Sequence, residues 1–187
     1  MRLYNERNER LYLNAAELQR FIAVARQATP AVRRFALTLA YTGCRLSEVR
    51  ALRSGSLQIE ARVISVRSLK KRHHHVIREI PMPVALVSEL RPLSGAAGTD
   101  YLWSQENRII PRITAYRWIK GLMHEAQIDG AKACPRGLRH AYGTRAILSG
   151  VPLHMLQRWM GHASMRTTAI YSTVLGPEQL ELSDRMW

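Results

Sequence analysis

Apolar residues recur every three or four positions in the first part of the chain, the spacing that gives an α-helix one apolar face. The first such segment predicts a helix over residues 15–27, and Asn14 followed by Glu17 resembles a capping box at its start. A second helix is predicted over residues 30–42, where Gly43 provides the stop signal. The chain should therefore begin its folded part with two amphipathic helices.

The period changes between residues 56 and 81, where short apolar runs alternate with polar turns. These runs are typical of strands, and they cover residues 57–59, 63–66 and 76–80. They predict a small three-stranded antiparallel sheet. Helical patterns lie on both sides of it, over residues 47–52, 83–90, 114–127, 135–148, 152–160 and 166–172.

The whole pattern predicts a mainly α-helical fold with one small antiparallel sheet, an α+β domain. We expect this domain to cover residues 14–175, after a polar N-terminal arm over residues 1–13 and before a C-terminal tail helix over residues 176–187. A chain of 187 residues is long enough for one sizeable core.

The charge of the chain indicates its kind of partner. A formal net charge of +14 and a pI near 10.8 favour nucleic acid over a membrane surface or an acidic protein. Residues 174–187 carry three carboxylates and one arginine, so the DNA-facing surface should lie elsewhere. No run approaches the roughly 18 apolar residues of a membrane span, and no signal peptide is evident. We therefore expect a cytoplasmic, nucleoid-associated protein.

Four motifs follow one another along the chain: T-G-C-R-L-S-E-V-R at residues 42–50, P-R-G-L-R-H at residues 135–140, G-H at residues 161–162, and Tyr171. They suit the cleavage of a phosphodiester by a tyrosine. The phenol attacks phosphorus in line, fixed cations neutralise the charge on the nonbridging oxygens, and an acid protonates the departing 5′ oxygen. Arginine suits the second task because its rigid fork binds two phosphate oxygens and stays charged.

These residues resemble the tyrosine recombinases, the phage integrases and their relatives, over about residues 14–175. The most specific part is the phrase M-G-H-A-S-M-R-T-T-A-I-Y, in which Tyr171 comes nine residues after His162. The resemblance implies the catalytic-domain fold of that family. It also implies a site-specific recombinase that breaks and rejoins double-stranded DNA without a metal or nucleotide cofactor.

The resemblance assigns a role to each motif residue. Tyr171 is the nucleophile that forms a 3′-phosphotyrosyl link. The phosphate is bound by the two arginines of the motifs and by the late histidine, namely Arg45, Arg139 and His162. Glu48 supports the site, and His140 is expected to be more structural than catalytic.

At two points the match to the family is incomplete: the lysine has two candidates, and one histidine is replaced. The leaving-group lysine lies in the hairpin between the second and third strands, where Lys70 is the favoured candidate and Lys71 the alternative. Arg136 stands where the family usually has histidine. Arginine does not act as a general base near neutral pH, so Arg136 is expected to bind phosphate electrostatically and not to act as a base for Tyr171.

The resemblance also implies an additional domain and an oligomeric assembly. Most members carry an additional N-terminal domain that clamps the other face of DNA, for which residues 1–13 are too few. The chain is expected to be a short form, like the fimbrial-switch invertases, or a catalytic fragment. We expect a homo-tetramer on paired DNA sites, with the tail docked on a neighbouring subunit or packed on its own domain.

Other interpretations stay open at this point. A type IB topoisomerase-like enzyme would use the same chemistry to relax DNA, and a catalytically impaired DNA-binding regulator would keep the fold without cleavage. The run His73–His75 does not favour a metal site, because consecutive residues on a strand point to opposite faces.

Overall fold

The helices lie close to the positions that the sequence predicts. The computed structural model describes residues 2–68, 76–95, 100–105, 108–173, 183–184 and 186. Its α-helices are α1 (Ala15–Gln27), α2 (Pro30–Thr42), α3 (Leu46–Arg50), α4 (Val84–Leu90), α5 (Arg112–Glu125), α6 (Pro135–Leu148), α7 (Leu153–Met160) and α8 (Met165–Ala169). Short 3₁₀ turns cover Ser54–Ser56, Arg91–Leu93 and Ile170–Thr173.

The start of α1 shows why its prediction is confirmed to the residue. The Asn14 side chain accepts a hydrogen bond from the backbone N–H of Glu17 at 2.8 Å, and the Glu17 carboxylate accepts one from the backbone N–H of Asn14 at 2.8 Å. This reciprocal pair satisfies two donors that a helix start leaves unpaired. At the end of α2, Gly43 takes the left-handed conformation, with φ 61°.

The predicted three-stranded sheet is confirmed as antiparallel, in the order β1 (Leu57–Gln58), β2 (Val63–Arg67) and β3 (Ile77–Pro81). Ile64 pairs with Ile80 and Val66 pairs with Arg78, and all four are buried. The inward face of β3 therefore carries an arginine between apolar neighbours.

A second, two-stranded sheet, formed by β4 (Ser104–Gln105) and β5 (Arg108–Ile109), is not predicted from the sequence. Each strand has two residues, too few for alternation to show. Trp103 precedes this sheet and is buried, with its indole N–H donating to the carbonyl of Val49 at 2.7 Å. The small sheet thus follows an anchor on the end of α3.

Two apolar clusters fill the interior. The larger one joins α1, α2, the three-stranded sheet, α4 and α5. The smaller one is formed by Leu3, Tyr12, Ala146, Leu156, Met160 and Tyr171. Two of its members come from the N-terminal arm, in which an antiparallel bridge joins Tyr4 and Arg10. The predicted arm therefore packs against the segment that carries Tyr171.

Two further expectations fall largely outside the described residues. The predicted tail helix over residues 176–187 lies mostly there, as does the hairpin with Lys70, Lys71 and His73–His75. Within the described part of the chain, no helix is both long enough and apolar enough to cross a membrane.

Candidate active site

Arg45 and Glu48 form the first corner of the site, at the start of α3. The Glu48 carboxylate accepts hydrogen bonds from the backbone N–H of Arg45 at 2.8 Å and from its guanidinium at 2.8 Å. Glu48 is buried, whereas the Arg45 side chain keeps 23% of its surface exposed. Arg45 is therefore held on one side and open on the other.

Arg78 is a second arginine on the same carboxylate, and the sequence motifs do not indicate it. Its guanidinium donates to the two Glu48 oxygens at 2.7 and 3.3 Å. Burial by itself would raise the pKa of the Glu48 carboxyl, but Arg78, the backbone N–H and Arg45 together hold that pKa below its ordinary value. Glu48 is thus an ionised carboxylate between two guanidiniums.

Arg139, on the inner face of α6, joins two distant loops. Its guanidinium donates to the carbonyl of Gly43 at 2.6 Å and to the carbonyl of Met160 at 2.7 Å. Burial, followed by the charge of Arg45, lowers the Arg139 pKa to about 10, so the group remains a cation at neutral pH. The two carbonyls fix this cation behind Arg45.

His162 follows Gly161, which ends α7 in the left-handed conformation with φ 65°. Its Nδ1 lies 2.9 Å from the Thr168 hydroxyl, and its buried Nε2 has no hydrogen-bond partner among the described residues. Burial and then the nearby arginines, Arg139 first, lower the His162 pKa to about 3. The imidazole is therefore neutral, with one ring nitrogen available.

Tyr171 lies in the 3₁₀ turn after α8, with no exposed surface. Its ring packs on Gly143, where a β-carbon would lie 2.5 Å from the ring atoms. Its hydroxyl is 3.3 Å from Nδ1 of His140, and its ring stacks near His162 with a centroid separation of 6.4 Å. Burial raises the Tyr171 pKa to about 12, although Arg139 and Arg45 oppose the shift, so the phenol is protonated.

His140 is the titratable group next to the phenol. Burial, followed by the charges of Arg139 and Arg136, lowers the His140 pKa to about 4, so its imidazole is neutral. Arg136 itself lies in the first turn of α6 with an exposed side chain that bonds to no described residue. Arg136 therefore lies at the surface, close enough for its charge to act on His140, while His140 makes the contact to Tyr171.

An open cleft of about 940 Å³ lies over these residues. Its wall includes Arg45, Arg78 and His162, together with Ser68 and Val76 at the ends of β2 and β3. The guanidiniums of Arg45 and Arg78 share the one carboxylate of Glu48 at this place, and within the described part of the chain the guanidinium of Arg139 is bonded only to neutral carbonyls. The floor of the cleft is therefore cationic and suits an anion such as a phosphodiester.

The chain also matches known proteins. Residues 11–176 fit the model of the phage integrase family. The chain belongs to the phage integrase family. Its catalytic-domain fold is the one that the motifs predict, since the crystal structure of a XerA recombinase superposes with a TM-score of 0.78 at 28% identity, over 94% of this chain and 64% of that one.

Two curated relatives of this phage integrase family member are named tyrosine recombinases. XerA of Pyrococcus furiosus is 29% identical over 180 residues, which cover 92% of this chain and 60% of the relative. XerC of Erythrobacter litoralis is 33% identical over 101 residues, which cover 53% of this chain and 33% of the relative. The chain thus spans less than two thirds of the length of these relatives.

A third comparison bears on the fold alone. The XerH site-specific recombinase, in a crystal structure bound to its difH substrate, superposes with a TM-score of 0.76 at 19% identity. That match covers 98% of this chain and 59% of the XerH chain.

For this integrase-family domain, the structure brings together Arg45, Glu48, Arg139, His140, His162 and Tyr171. It leaves Arg136 at the surface, and Lys70 and Lys71 lie outside the described residues. Arg78 is the group that motif reading missed. The signal that could have found it is the strand I-R-E-I-P, in which alternation places Arg78 on the same face as Ile80.

Proposed function

We propose that this domain is the catalytic part of a site-specific DNA recombinase that cleaves and rejoins double-stranded DNA through a 3′-phosphotyrosyl intermediate. The observation that carries the proposal is the clustering of Arg45, Arg139, His162 and Tyr171 from four separate parts of the chain, with Arg45 and His162 in the wall of one cationic cleft. Membership of the phage integrase family supports the same reaction class.

The scissile phosphate is bound by Arg45 and Arg139, with His162 as a third donor. When the Thr168 hydroxyl donates to Nδ1 of His162, the imidazole proton sits on Nε2, the nitrogen that has no partner within the described residues. That N–H then donates to a nonbridging oxygen. The arginines neutralise the charge that grows on the phosphate as the phenol attacks.

In the chemical step, the Tyr171 oxygen forms a bond to phosphorus and the bond from phosphorus to the 5′ oxygen breaks. The phenol proton passes to a base, for which we propose neutral His140, whose Nδ1 lies 3.3 Å from the hydroxyl while Tyr171 is buried. Rejoining reverses these steps with a 5′ hydroxyl as the attacking group. In this proposal, His140 acts as the base for Tyr171, a role that Arg136 does not perform at the position of the family's usual histidine.

The 5′ oxygen needs a proton, for which we propose Lys70, with Lys71 as the alternative. Ser68 and Val76 lie on either side of residues 69–75, both line the cleft, and a backbone hydrogen bond of 2.9 Å joins them. Lys70 comes two residues after Ser68 and Lys71 three residues after it. Two residues span at most about 7 Å and three about 11 Å, and this short separation from a residue of the cleft supports the proposal.

Arg136, exposed at the start of α6, is proposed to bind a phosphate of the DNA backbone by charge. The same proposal includes a homo-tetramer on paired sites, in which residues 176–187 dock on a neighbouring subunit. Deletion of residues 177–187 should then reduce synapsis more than it reduces DNA binding. Equal losses of both would contradict docking between subunits.

Covalent capture tests the central proposal. Nicked duplexes that contain a randomised segment trap a tyrosine recombinase, because the short strand released beyond the nick cannot re-ligate. We expect the unaltered protein to form adducts that survive denaturing gels and share a sequence, and Tyr171→Phe to form none. Absence of adducts from the whole pool favours a DNA-binding regulator, and adducts of no shared sequence with relaxation of plasmid DNA favour a topoisomerase.

A sulfur substrate tests the lysine. Replacement of the bridging 5′ oxygen by sulfur gives a leaving group that needs no proton. We expect Lys70→Ala to cleave the oxygen substrate poorly and the sulfur substrate nearly as well as the unaltered protein does. If the sulfur substrate restores cleavage by Lys71→Ala and not by Lys70→Ala, the role belongs to Lys71.

A further inference from the structure

Arg78 lies on the buried face of the three-stranded sheet, where its neighbours are apolar side chains. It lies on the inner face of β3 opposite Val66, and it is 5% exposed. Burial of a guanidinium is costly unless each donor is matched. Three of its partners come from outside its own sheet, and they are the Glu48 carboxylate, the Trp159 carbonyl and the Cys44 sulfur.

These partners connect Arg78 to both halves of the phosphate site. Its Nε donates to the carbonyl of Trp159 at 2.8 Å, near the end of α7. The next carbonyl, that of Met160, accepts from Arg139. Two buried arginines thus hold the end of α7 that leads into Gly161 and His162, where helix carbonyls favour cations.

The packing against Gly161 is equally close. A β-carbon at position 161 would lie 3.1 Å from the Cδ, Nε and Cζ atoms of Arg78. Glycine is therefore favoured there both by the left-handed backbone and by the guanidinium beside it. Arg78 serves as a support beneath the turn that presents His162.

We propose that Arg78 is a positioning residue for phosphate binding, which holds Arg45 through Glu48 and holds His162 through the end of α7. This inference rests on the proposed function for its DNA readout. It goes beyond the motif residues, because Arg78 acts on the phosphate through the groups that it places.

Arg78 also affects the net charge of the cleft. The Glu48 carboxylate has its two oxygens shared between Arg45 and Arg78, which leaves the three groups with a net charge of +1. Without Arg78, Glu48 pairs with Arg45 alone and cancels its charge. The cleft then loses attraction for a phosphate while keeping every motif residue.

The first experiment uses inorganic phosphate and needs no DNA site. Binding is followed through the His162 ring resonances by NMR in the unaltered protein, Arg78→Met, Arg78→Lys and Arg91→Met. Arg91 is an exposed arginine that pairs with Glu60 and does not line the cleft, so its variant controls for the loss of one positive charge. We expect Arg78→Met to weaken phosphate binding about tenfold or more and Arg91→Met to change it less than about twofold.

The second experiment measures the rate of adduct formation and the affinity for DNA separately, on the sequence captured by the unaltered protein. We expect Arg78→Met to slow adduct formation about 100-fold, the size of effect that a displacement of about 1 Å produces, while its DNA affinity changes less than about threefold. In a Glu48→Gln background the same change should slow the reaction far less, because the carboxylate through which Arg78 acts is gone.

The outcomes separate the two proposals. A folded Arg78→Met protein with unaltered phosphate affinity and adduct rate overturns the role of Arg78. Where Arg78→Met does not fold, Arg78→Lys decides, since an ammonium keeps the charge but lacks the fork that reaches Glu48 and Trp159 together. We expect Arg78→Lys to bind phosphate and react slowly, and an unaltered rate overturns the inference. Absence of any adduct from the unaltered protein contradicts the proposed function, and the phosphate experiment then still tests Arg78.

Discussion

Mild acid should destabilise this protein through two buried histidines. His140 and His162 have pKa values lowered to about 4 and about 3, in both cases mainly by burial and then by Arg139. In the unfolded chain both return to the ordinary histidine pKa near 6.5. Below that pH the unfolded chain binds protons that the folded chain does not, so stability present above pH 6.5 is lost as the pH falls.

The size of the loss follows from proton linkage. Each such histidine contributes a slope approaching about 1.4 kcal/mol per pH unit below its unfolded pKa. Between pH 6.5 and pH 5 this amounts to roughly 1.5 kcal/mol for each ring, or about 3 kcal/mol for the pair. A domain typically has about 5–15 kcal/mol in total. The two rings should therefore dominate the stability profile above the range in which carboxylates titrate.

Urea unfolding at pH 7.5, 6.5, 5.5 and 5.0 measures this slope. We expect His140→Gln and His162→Gln each to remove about half of it. His154, exposed on α7, is the matched control, and His154→Gln should leave the slope unaltered. A double His140→Gln, His162→Gln variant with the full acid slope would refute the reasoning, as would an unaltered protein with no slope at all.

Three further predictions concern the same interior. Gly143→Ala places a β-carbon 2.5 Å from the Tyr171 ring and should lower the free energy of unfolding by about 1–3 kcal/mol. The control Gly121→Ala, in open space on α5, should raise it by about 0.5–1 kcal/mol, and urea unfolding that shows no difference between the two variants would contradict this packing. Glu48→Gln removes the charge that compensates Arg45 and Arg78, and calorimetry should show a loss of about 3–5 kcal/mol, so an unaltered melting temperature would argue against the buried network. The raised Tyr171 pKa, about 12, predicts that stability falls as the pH rises from 10 towards 12 and that Tyr171→Phe reduces this fall in alkaline unfolding; an equal fall in both proteins would assign it to other groups.

The helices α1, α2 and α6 could be predicted to the residue, and a local signal marks at least one end of each. Asn14 and Glu17 make the expected capping box, Gly43 takes the expected left-handed stop, and Pro135 stands at the first position of α6. These signals work because they act within one turn of the chain. The two-residue strands β4 and β5 carry no such signal, and the hydrogen bond that fixes the preceding Trp103 to α3 joins residues far apart in the sequence.

The same distinction between local signals and contacts of distant residues applies to the candidate site. The motifs predicted that Arg45, Arg139, His162 and Tyr171 belong to one site, because residue types and their order along the chain express the chemistry. They did not identify Arg78, whose partners lie 30 and 81 residues away in the sequence. They assigned His140 a structural role, and they do not show the contact between its ring and the phenol that the packing of α6 against the turn after α8 produces. Contacts between elements decide such roles, and no local pattern records them.

The burial of Tyr171 links DNA binding to reactivity. An aromatic side chain buries about 150–250 Å², which at about 25 cal/mol per Å² makes its withdrawal from the core cost up to roughly 4–6 kcal/mol. In the present conformation the phenol has no exposed surface, and its ring is held between Gly143 and His162. The proposed attack therefore requires Tyr171 to move, and the contacts that DNA makes with the cationic cleft must supply that free energy. In the absence of DNA, Tyr171 thus stays protonated and covered.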